Sequence, residues 1–151
     1  MKKIVSSGFI VINRHGEVLL GEVSNHASDF KWTVFKGGVE GDESLIETAL
    51  RELKEEAGID IAADDRLNKY ISTNFVYQYH MRHKDVFMFT VEDPHGVLDD
   101  FEFTCNSYWG ESNNPEIDSY KWVKIEDLKD YIFPSQRGLA EFMQNTKRKV
   151  G

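Results

Sequence analysis

Three glutamates, Glu52, Glu55 and Glu56, stand close together in a segment with helical periodicity. At about 3.6 residues per turn, Glu52 and Glu56 lie one turn apart and Glu55 lies roughly 100° from Glu56, so the pattern places the three carboxylates on one flank. Such like charges destabilise an isolated helix by roughly 0.2–0.5 kcal/mol per pair unless a cation compensates them. Because oxygen ligands suit hard cations, the pattern indicates magnesium or manganese binding, and the alternative is an ordinary solvated acidic face.

The helix that must position these carboxylates has recognisable ends. Ser44, followed three residues later by Glu47, forms a capping box, and Gly58 suits the left-handed conformation that ends many helices. Apolar residues between these ends recur at i, i+3, i+4 and i+7, which predicts one buried stripe. That stripe consists of Ile46, Ala49, Leu50, Leu53 and Ala57. We therefore expect a helix between Ser44 and Gly58 that packs on the rest of the molecule.

The segment from Gly37 to Ile59 also resembles a known pattern, the Nudix box. That box has glycine, five residues, glutamate, seven residues, Arg-Glu, an aliphatic residue, any residue, Glu-Glu, any residue, glycine and an aliphatic residue. The residues that fill its specified places are Gly37, Glu43, Arg51, Glu52, Leu53, Glu55, Glu56, Gly58 and Ile59. Nine constrained positions at fixed spacing are far more specific than a lone glycine motif. The chain is therefore identified as similar to the Nudix hydrolases.

This resemblance implies a metal site. It implies that Glu52, Glu55 and Glu56 bind magnesium, and that the main-chain carbonyl of Gly37 adds a ligand. Family members often carry a further glutamate on a loop before a late strand, a position that Glu116 fills here. Metal ions across a diphosphate neutralise charge and make a bound water acidic enough to attack phosphorus. The base that accepts the water's proton is then Glu55, Glu56 or Glu116, and Glu116 is alternatively a metal ligand or an ordinary loop residue.

Glu43 and Arg51 are implied to support this site without binding metal. They stand eight residues apart, and the bend from loop to helix is expected to bring them together. A surface ion pair contributes at most about 1 kcal/mol, so the pair would serve to position the helix flank. The family often has proline where this chain has Phe35, and this departure concerns the backbone that enters the loop and leaves the acidic cluster intact.

Aromatic and basic residues give weaker indications about the substrate. Tyr77 stands close to where family members that cleave diadenosine polyphosphates carry a base-stacking tyrosine, and Phe75 and Tyr79 share its face of a predicted strand. The alternative is that these three rings belong to the core. Several basic residues could bind phosphates, although each singly is typical of a surface position. These basic candidates are Lys36, His80, Arg82 and His83.

The rest of the chain is typical of strands interleaved with helices. The predicted strands are Ile4 to Asn13, Glu17 to Val23, Trp32 to Lys36, Lys69 to Tyr79, Asp85 to Glu92 and Ser119 to Ile125. The first two meet at a turn and predict a hairpin. A short helix is expected over 125–131 and a longer one over 135–147. The apolar side of the longer helix is predicted to comprise Ala140, Phe142 and Met143. This order predicts an α/β fold, a Nudix-like α/β/α sandwich with a mixed central sheet, and leaves residues 94–115 unassigned.

Composition narrows the class of protein. The 151 residues predict a single domain over 1–151, and no stretch approaches the ~20 apolar residues of a membrane span, so we expect no membrane partner. Cys105 is the only cysteine, which leaves no second thiol for an internal disulfide and favours a cytoplasmic location. The net charge of −8 argues against duplex nucleic acid as a partner. A phosphorylated ligand remains compatible because divalent cations can separate it from the carboxylates.

These observations together predict a metal-dependent hydrolase that cleaves a diphosphate linkage in a nucleoside diphosphate derivative. A dinucleoside polyphosphate or a nucleoside triphosphate is the favoured small-molecule substrate, and the protein is expected to be a monomer or a homodimer. One alternative is an RNA 5′ pyrophosphohydrolase, which the negative charge disfavours. The other is a nucleotide-sensing module of the same fold that does not hydrolyse its ligand, which the intact acidic cluster disfavours.

Overall fold

The computed structural model describes residues 3–24 and 31–150, apart from the side chains of residues 74, 75 and 146–150. The strands are β1 (Ile4–Ile12), β2 (Glu17–Val23), β3 (Trp32–Thr33), β4 (Phe35–Gly38), β5 (Ile71–His80), β6 (Lys84–Glu92) and β7 (Ile117–Lys124). The α-helices are α1 (Leu45–Ala57), α2 (Asp65–Asn68) and α3 (Arg137–Val150). Short 3₁₀ helices cover Ile61–Ala63, Ile125–Asp130 and Pro134–Gln136. None of the helices in these described ranges is long and apolar enough to cross a membrane.

All of these strands belong to one mixed sheet. β1 pairs in parallel with β6 along its whole length, from Ile4 opposite Lys84 to Ile12 opposite Glu92. β5 adds antiparallel to β6, and β4 pairs antiparallel with β1. β2 pairs with β7 and β3. In the described residues the predicted hairpin of β1 and β2 is limited to its turn, where Ile12 faces Val18, because the two strands then take different partners.

Helices cover both faces of the sheet, which confirms the predicted α/β/α sandwich with a mixed sheet. Successive residues of β1 point to opposite sides, so Phe9 and Val11 join the core under α1 while Ile10 joins the core under α3. The predicted apolar side of α3 is confirmed, since Ala140 and Met143 are buried there and Phe142 packs against the same cluster. The burial of apolar side chains on both faces fixes the sheet between the helical layers.

Both predicted ends of α1 are present. The Ser44 hydroxyl accepts a hydrogen bond from the Glu47 backbone N–H at 3.2 Å, and the Glu47 carboxylate accepts one from the Ser44 N–H at 3.0 Å. At the other end Gly58 adopts φ 74°, where any residue with a Cβ would be strained. The predicted stripe is also largely buried, with Ala49, Leu53 and Ala57 fully enclosed. This face is broader than predicted, because it also includes Thr48 and Glu56.

The unassigned residues 94–115 cover the carboxyl end of α1. The buried Asp93 carboxylate starts the segment by accepting hydrogen bonds from the backbone N–H groups of Val97 and Leu98. Farther along, the N–H of Thr104 donates to the Ala57 carbonyl. The N–H of Asn106 donates to the carbonyl of Glu55. The segment thus satisfies two of the carbonyls that a helix end leaves without partners.

One predicted strand is divided in the structure, and other elements differ from those predicted. The strand predicted over Trp32 to Lys36 becomes β3 and β4, because the backbone of Val34 is engaged by side chains: its N–H donates to Gln136 and its carbonyl accepts from Thr33. The helix predicted over 125–131 is a 3₁₀ helix. The helix α2, which was missed, begins where the Asp64 carboxylate caps the backbone N–H of Arg66.

Candidate active site

Glu56 is the buried carboxylate of α1. It follows Ala49 and Leu53 at helical spacing, so it lies on the inner side of the helix and is only 6% exposed. Its Oε1 is the one buried side-chain oxygen or nitrogen for which the described residues provide no hydrogen-bond partner. Burial raises the pKa of Glu56 well above its usual range, and the charges of Glu52 and Glu116 add to the rise against the opposing charge of Lys36. A buried acceptor of this kind is costly unless a proton or a cation engages it.

Glu52 lies one turn earlier and packs directly on the backbone of Gly37. A Cβ on Gly37 would overlap the Glu52 carboxylate, so glycine is needed at residue 37 for the close approach. The Glu52 side chain is 13% exposed, and burial raises its pKa while the hydrogen bond from Arg51 opposes the rise. Gly37 therefore lies beside the acidic cluster, and the metal-binding role of its carbonyl stays a prediction.

The guanidinium of Arg51 connects the loop to the outer flank of α1. Its Nε and Nη2 donate to the two oxygens of Glu43 at 2.7 and 3.0 Å, and Nη2 also donates to the Gly38 carbonyl at 2.9 Å. Its Nη1 donates to Glu52 at 2.8 Å and lies 3.4 Å from Glu55. The hydrogen bond from Arg51 is the largest reason why the pKa of Glu43 falls to about 2. The structure thus brings Glu43 and Arg51 together as predicted.

Glu55 and Glu116 complete the predicted acidic set. Glu55 is 40% exposed at the edge of the cluster, while Glu116 immediately precedes β7 and raises the pKa of both Glu52 and Glu56 through its charge. Within the described ranges, no three acidic, histidine or cysteine side chains already surround a common point. The prediction that all three helix glutamates share one flank needs correction, because Glu56 continues the buried stripe while Glu55 faces Arg51.

A cavity of about 280 Å³ opens beside Glu56. Both charged side chains and aromatic rings line it. The charged residues that line it are Lys36, Glu56, Lys84 and Glu116. The aromatic residues that line it are Tyr79, Trp109 and Phe133. A cavity lined by acidic, basic and aromatic side chains suits a ligand with phosphates and a planar ring.

The sequence matches a protein-family model described as the NUDIX domain, over residues 2–145. The chain belongs to the Nudix family. Nudix hydrolase 5 of Arabidopsis thaliana is 26% identical over 142 residues, which cover 91% of this chain and 42% of that protein. An RNA pyrophosphohydrolase of Wolbachia sp. subsp. Brugia malayi is 27% identical over 138 residues, which cover 86% of this chain and 80% of that protein.

Solved structures share the fold of this Nudix chain. A binary complex of a C. elegans Ap4A hydrolase superposes with a TM-score of 0.71 at 19% identity, covering 96% of this chain and 97% of that one. At this identity the likeness shows the fold alone. The chain spans less than half of the Arabidopsis relative and most of the Wolbachia one. The predicted membership of the Nudix family is thus confirmed.

Basic residues of this Nudix chain divide between the cavity and the surface. Lys36 on β4 lines the cavity, and its pKa is lowered to about 8 by burial and by the neighbouring ammonium of Lys84. Lys84, the first residue of β6, was missed from the sequence because its approach to Lys36 depends on the pairing of β4 and β6 with β1. Arg82 and His83 are exposed on the preceding turn and are not among the cavity residues. His80 pairs instead with Asp85 at 2.7 Å.

Two of the three predicted aromatic rings do share a face. The ring centroids of Tyr77 and Tyr79 are 5.8 Å apart, whereas the side chain of Phe75 lies outside the described residues. Tyr77 packs on Phe142 of α3 with a centroid distance of 5.0 Å and is not among the residues that line the cavity. Its neighbour Tyr79 lines the cavity. Tyr77 therefore occupies the position that the core alternative describes, and a substrate-binding role for it stays a prediction.

Proposed function

We propose that this Nudix protein is a divalent-cation-dependent hydrolase that cleaves a diphosphate linkage in a nucleoside diphosphate derivative. The favoured substrates are dinucleoside polyphosphates and nucleoside triphosphates. The observation that carries the proposal is the buried Glu56 carboxylate, whose Oε1 has no partner among the described residues and lies beside the cavity. A fold gains nothing from burying an incompletely paired carboxylate, so this arrangement favours a role in binding or chemistry.

The residues present fit a hard divalent cation, magnesium or manganese. The donor set consists only of oxygens, and Glu52, Glu56 and Glu116 interact unfavourably with one another until positive charge arrives. Glu52, Glu55, Glu56, Glu116 and the Gly37 carbonyl would hold the ion. When bound, such an ion neutralises phosphate charge and makes a coordinated water more acidic.

The chain's own residues then have separable tasks. Glu55, Glu56 and Glu116 are the candidates for accepting the proton of the attacking water. Arg51 keeps the outer carboxylates in place by its hydrogen bonds. Lys36 and Lys84 present ammonium groups to the cavity, where they can bind the phosphate oxygens of the substrate.

The test of this proposal is turnover of a panel of nucleoside diphosphate derivatives with magnesium or manganese, combined with calorimetric titration of the metal. We expect cleavage at a phosphoanhydride of at least one member and metal uptake that falls in Glu56→Gln. Product formation by the wild type without added metal in the presence of chelator, or no turnover of any member, would contradict the proposal. Ligand binding without product formation would instead support the nucleotide-sensing alternative.

A second candidate is removal of pyrophosphate from the 5′ end of RNA. It is supported by the Wolbachia relative, which is named an RNA pyrophosphohydrolase and is matched over 80% of its length. The exposed turn with Arg82 and His83 offers basic side chains near Lys84, although the net charge of −8 gives little support for a long RNA track. A 5′-triphosphorylated oligonucleotide and the matching nucleoside triphosphate, compared by kcat/KM, separate the two candidates.

A further inference from the structure

We propose that Trp109 is a base-binding residue of this protein, and that its indole face stacks on the nucleobase of the substrate in the cavity beside Glu56. The inference rests on the proposed function, because it names which part of a nucleotide an aromatic side chain of the same cavity binds. It also gives a role to the segment that the sequence left unassigned.

Trp109 lies on a short loop that ends at Glu116. The N–H of Trp109 donates to the Asn114 carbonyl at 3.0 Å, and the N–H of Glu116 donates to the Ser107 carbonyl at 2.8 Å. A β-bridge between Tyr108 and Pro115 closes the loop between these two hydrogen bonds. Trp109 and Glu116 are therefore held in one small unit, and both line the cavity.

The indole of Trp109 is held by a hydrogen bond at its edge and is partly exposed. Its Nε1 donates to the Ser24 hydroxyl at 2.6 Å, and that hydroxyl donates in turn to the Pro115 carbonyl at 2.6 Å. The Ser24 N–H donates to the Glu116 carbonyl at 2.9 Å. A hydrogen bond in the plane of the ring sets its orientation and leaves its faces available. Trp109 is nevertheless 42% exposed. Its Nε1–H already has a hydrogen-bond partner, so the exposed part is apolar ring surface that a ligand can cover.

The rest of the cavity explains what this ring would contact. Tyr79 and Phe133 line the same cavity as Trp109, and so do the charged side chains of Glu56 and Lys36. A nucleotide has a planar apolar part joined to phosphates, so both kinds of lining are engaged when the base lies against the Trp109 ring and the phosphates lie against the charges. Stacking uses the π face that every base possesses, and therefore we expect Trp109 to bind purines and pyrimidines alike.

A neighbouring residue provides a matched control. Tyr108 belongs to the same loop and is 46% exposed, yet it is not among the residues that line the cavity. Tyr108→Ala therefore removes a comparable exposed ring without touching the proposed stacking surface. The backbone bridge to Pro115 does not require the Tyr108 side chain.

The experiment measures dissociation constants by calorimetry with magnesium, for a nonhydrolysable β,γ-imido nucleoside triphosphate and for inorganic tripolyphosphate. Tripolyphosphate has the phosphates without a base. In Trp109→Ala we expect the Kd of the nucleotide to rise by about five- to hundredfold, the range given by loss of base stacking, with the Kd of tripolyphosphate unchanged. Trp109→Phe should retain most of the affinity, and Tyr108→Ala should retain all of it.

The outcomes separate this inference from the proposed function. Equal nucleotide affinity in wild type and Trp109→Ala would overturn the inference, even if the enzyme hydrolyses nucleotides. Equal losses for the nucleotide and tripolyphosphate would also overturn it, because the effect would then be damage to the loop. A wild type that binds the analogue through Trp109 but hydrolyses no diphosphate would support the inference and contradict the proposed function.

Discussion

The acidic side chains on the two sides of α1 differ in their burial and in the positive charge around them. On the outer flank, Glu43, Glu52 and Glu55 gather around the guanidinium of Arg51 at hydrogen-bonding or ion-pair distances. On the inner side, Glu56 is nearly excluded from solvent and keeps an oxygen without a partner among the described residues. The carboxylates around Arg51 have a counter-charge, whereas the most buried carboxylate, Glu56, is not fully compensated.

This difference separates residues that support the site from residues that the chemistry needs. A partly buried network that already has its counter-charge can hold the loop against the helix without any ligand. A buried carboxylate oxygen that lacks a partner is costly until a proton or a cation engages it. The contrast therefore assigns positioning to Arg51 and Glu43, whereas Glu52, Glu55 and Glu56 are the candidates for metal binding or proton transfer. Each of the following predictions tests one part of it.

The largest effect is expected from Glu56→Gln. We expect its kcat to fall by at least a hundredfold, within the 10²–10⁴ range of a lost general base. The metal-free variant should nevertheless be more stable at pH 7. A carboxyl whose pKa is raised by folding destabilises the folded state above its unfolded pKa, and glutamine removes that cost.

The matched variant for this prediction is Glu55→Gln. We expect kcat to fall by about a hundredfold or more here too, but with no gain in stability, because Glu55 is partly exposed and lies near Arg51. Turnover assays and urea unfolding in chelator measure both quantities. Similar stability changes in the two variants would remove the distinction between the flanks.

Gly37→Ala tests how closely the loop approaches the helix. The added methyl group would overlap the Glu52 carboxylate and push it from its position. We expect kcat/KM to fall on the order of a hundredfold, as displacement of a site group by about 1 Å can do. Gly38→Ala is the control, since a Cβ there would meet nothing within 4 Å, and equal activity of the two variants would contradict the prediction.

Glu43→Gln tests the compensated flank through its pH dependence. Because folding lowers the pKa of Glu43 to about 2, its stabilising effect is complete above pH 4.5 and is lost as pH falls from 4.5 towards 2. We expect the variant to have a lower urea midpoint at pH 7 and a weaker dependence of stability on pH across that interval. Glu40→Gln should resemble the wild type, since Glu40 is 74% exposed and lies 3.7 Å from Arg51.

The smallest effect is expected from Ser44→Ala, which removes the helix cap far from the buried carboxylate. Loss of an N-cap hydroxyl costs typically about 1 kcal/mol of unfolding free energy. We expect that loss in urea unfolding without a measurable change in kcat. A marked fall in kcat with normal stability would mean that the cap and the site are coupled more tightly than the comparison of the two flanks implies.

Elements defined by local spacing were predicted well. The ends of α1 at Ser44 and Gly58 were correct because capping involves residues within one helical turn. The order of strands around α1 also followed from local alternation and turns. Residues 94–115 could not be assigned, because their conformation depends on backbone hydrogen bonds to the end of α1 and on aromatic packing beneath them. Neither leaves a repeating pattern in the sequence.

The candidate active site also combines features that the sequence predicted with features that it did not. The acidic residues of the Nudix segment could be selected from spacing alone, and the structure brings Glu43 to Arg51 and Glu52 to Gly37. The burial of Glu56 could have been found, since it continues the spacing of Ala49 and Leu53. The surroundings of Tyr77 and Tyr79 could not have been predicted. The two rings lie on the same face of β5, yet Tyr77 packs on α3 and Tyr79 lines the cavity.

The amino-acid sequence by itself therefore determined the capped helix, its glutamates and the family to which the chain belongs, since each depends on residues at fixed short separations. Only the tertiary structure decided that an oxygen of Glu56 has no partner among the described residues, which lysine approaches Lys36 and which aromatic rings line the cavity. Those outcomes depend on the pairing of β1 with β6 and on a loop closing beside Glu116. Contacts between residues so distant in the chain follow from the packing of the whole fold, which no local periodicity encodes.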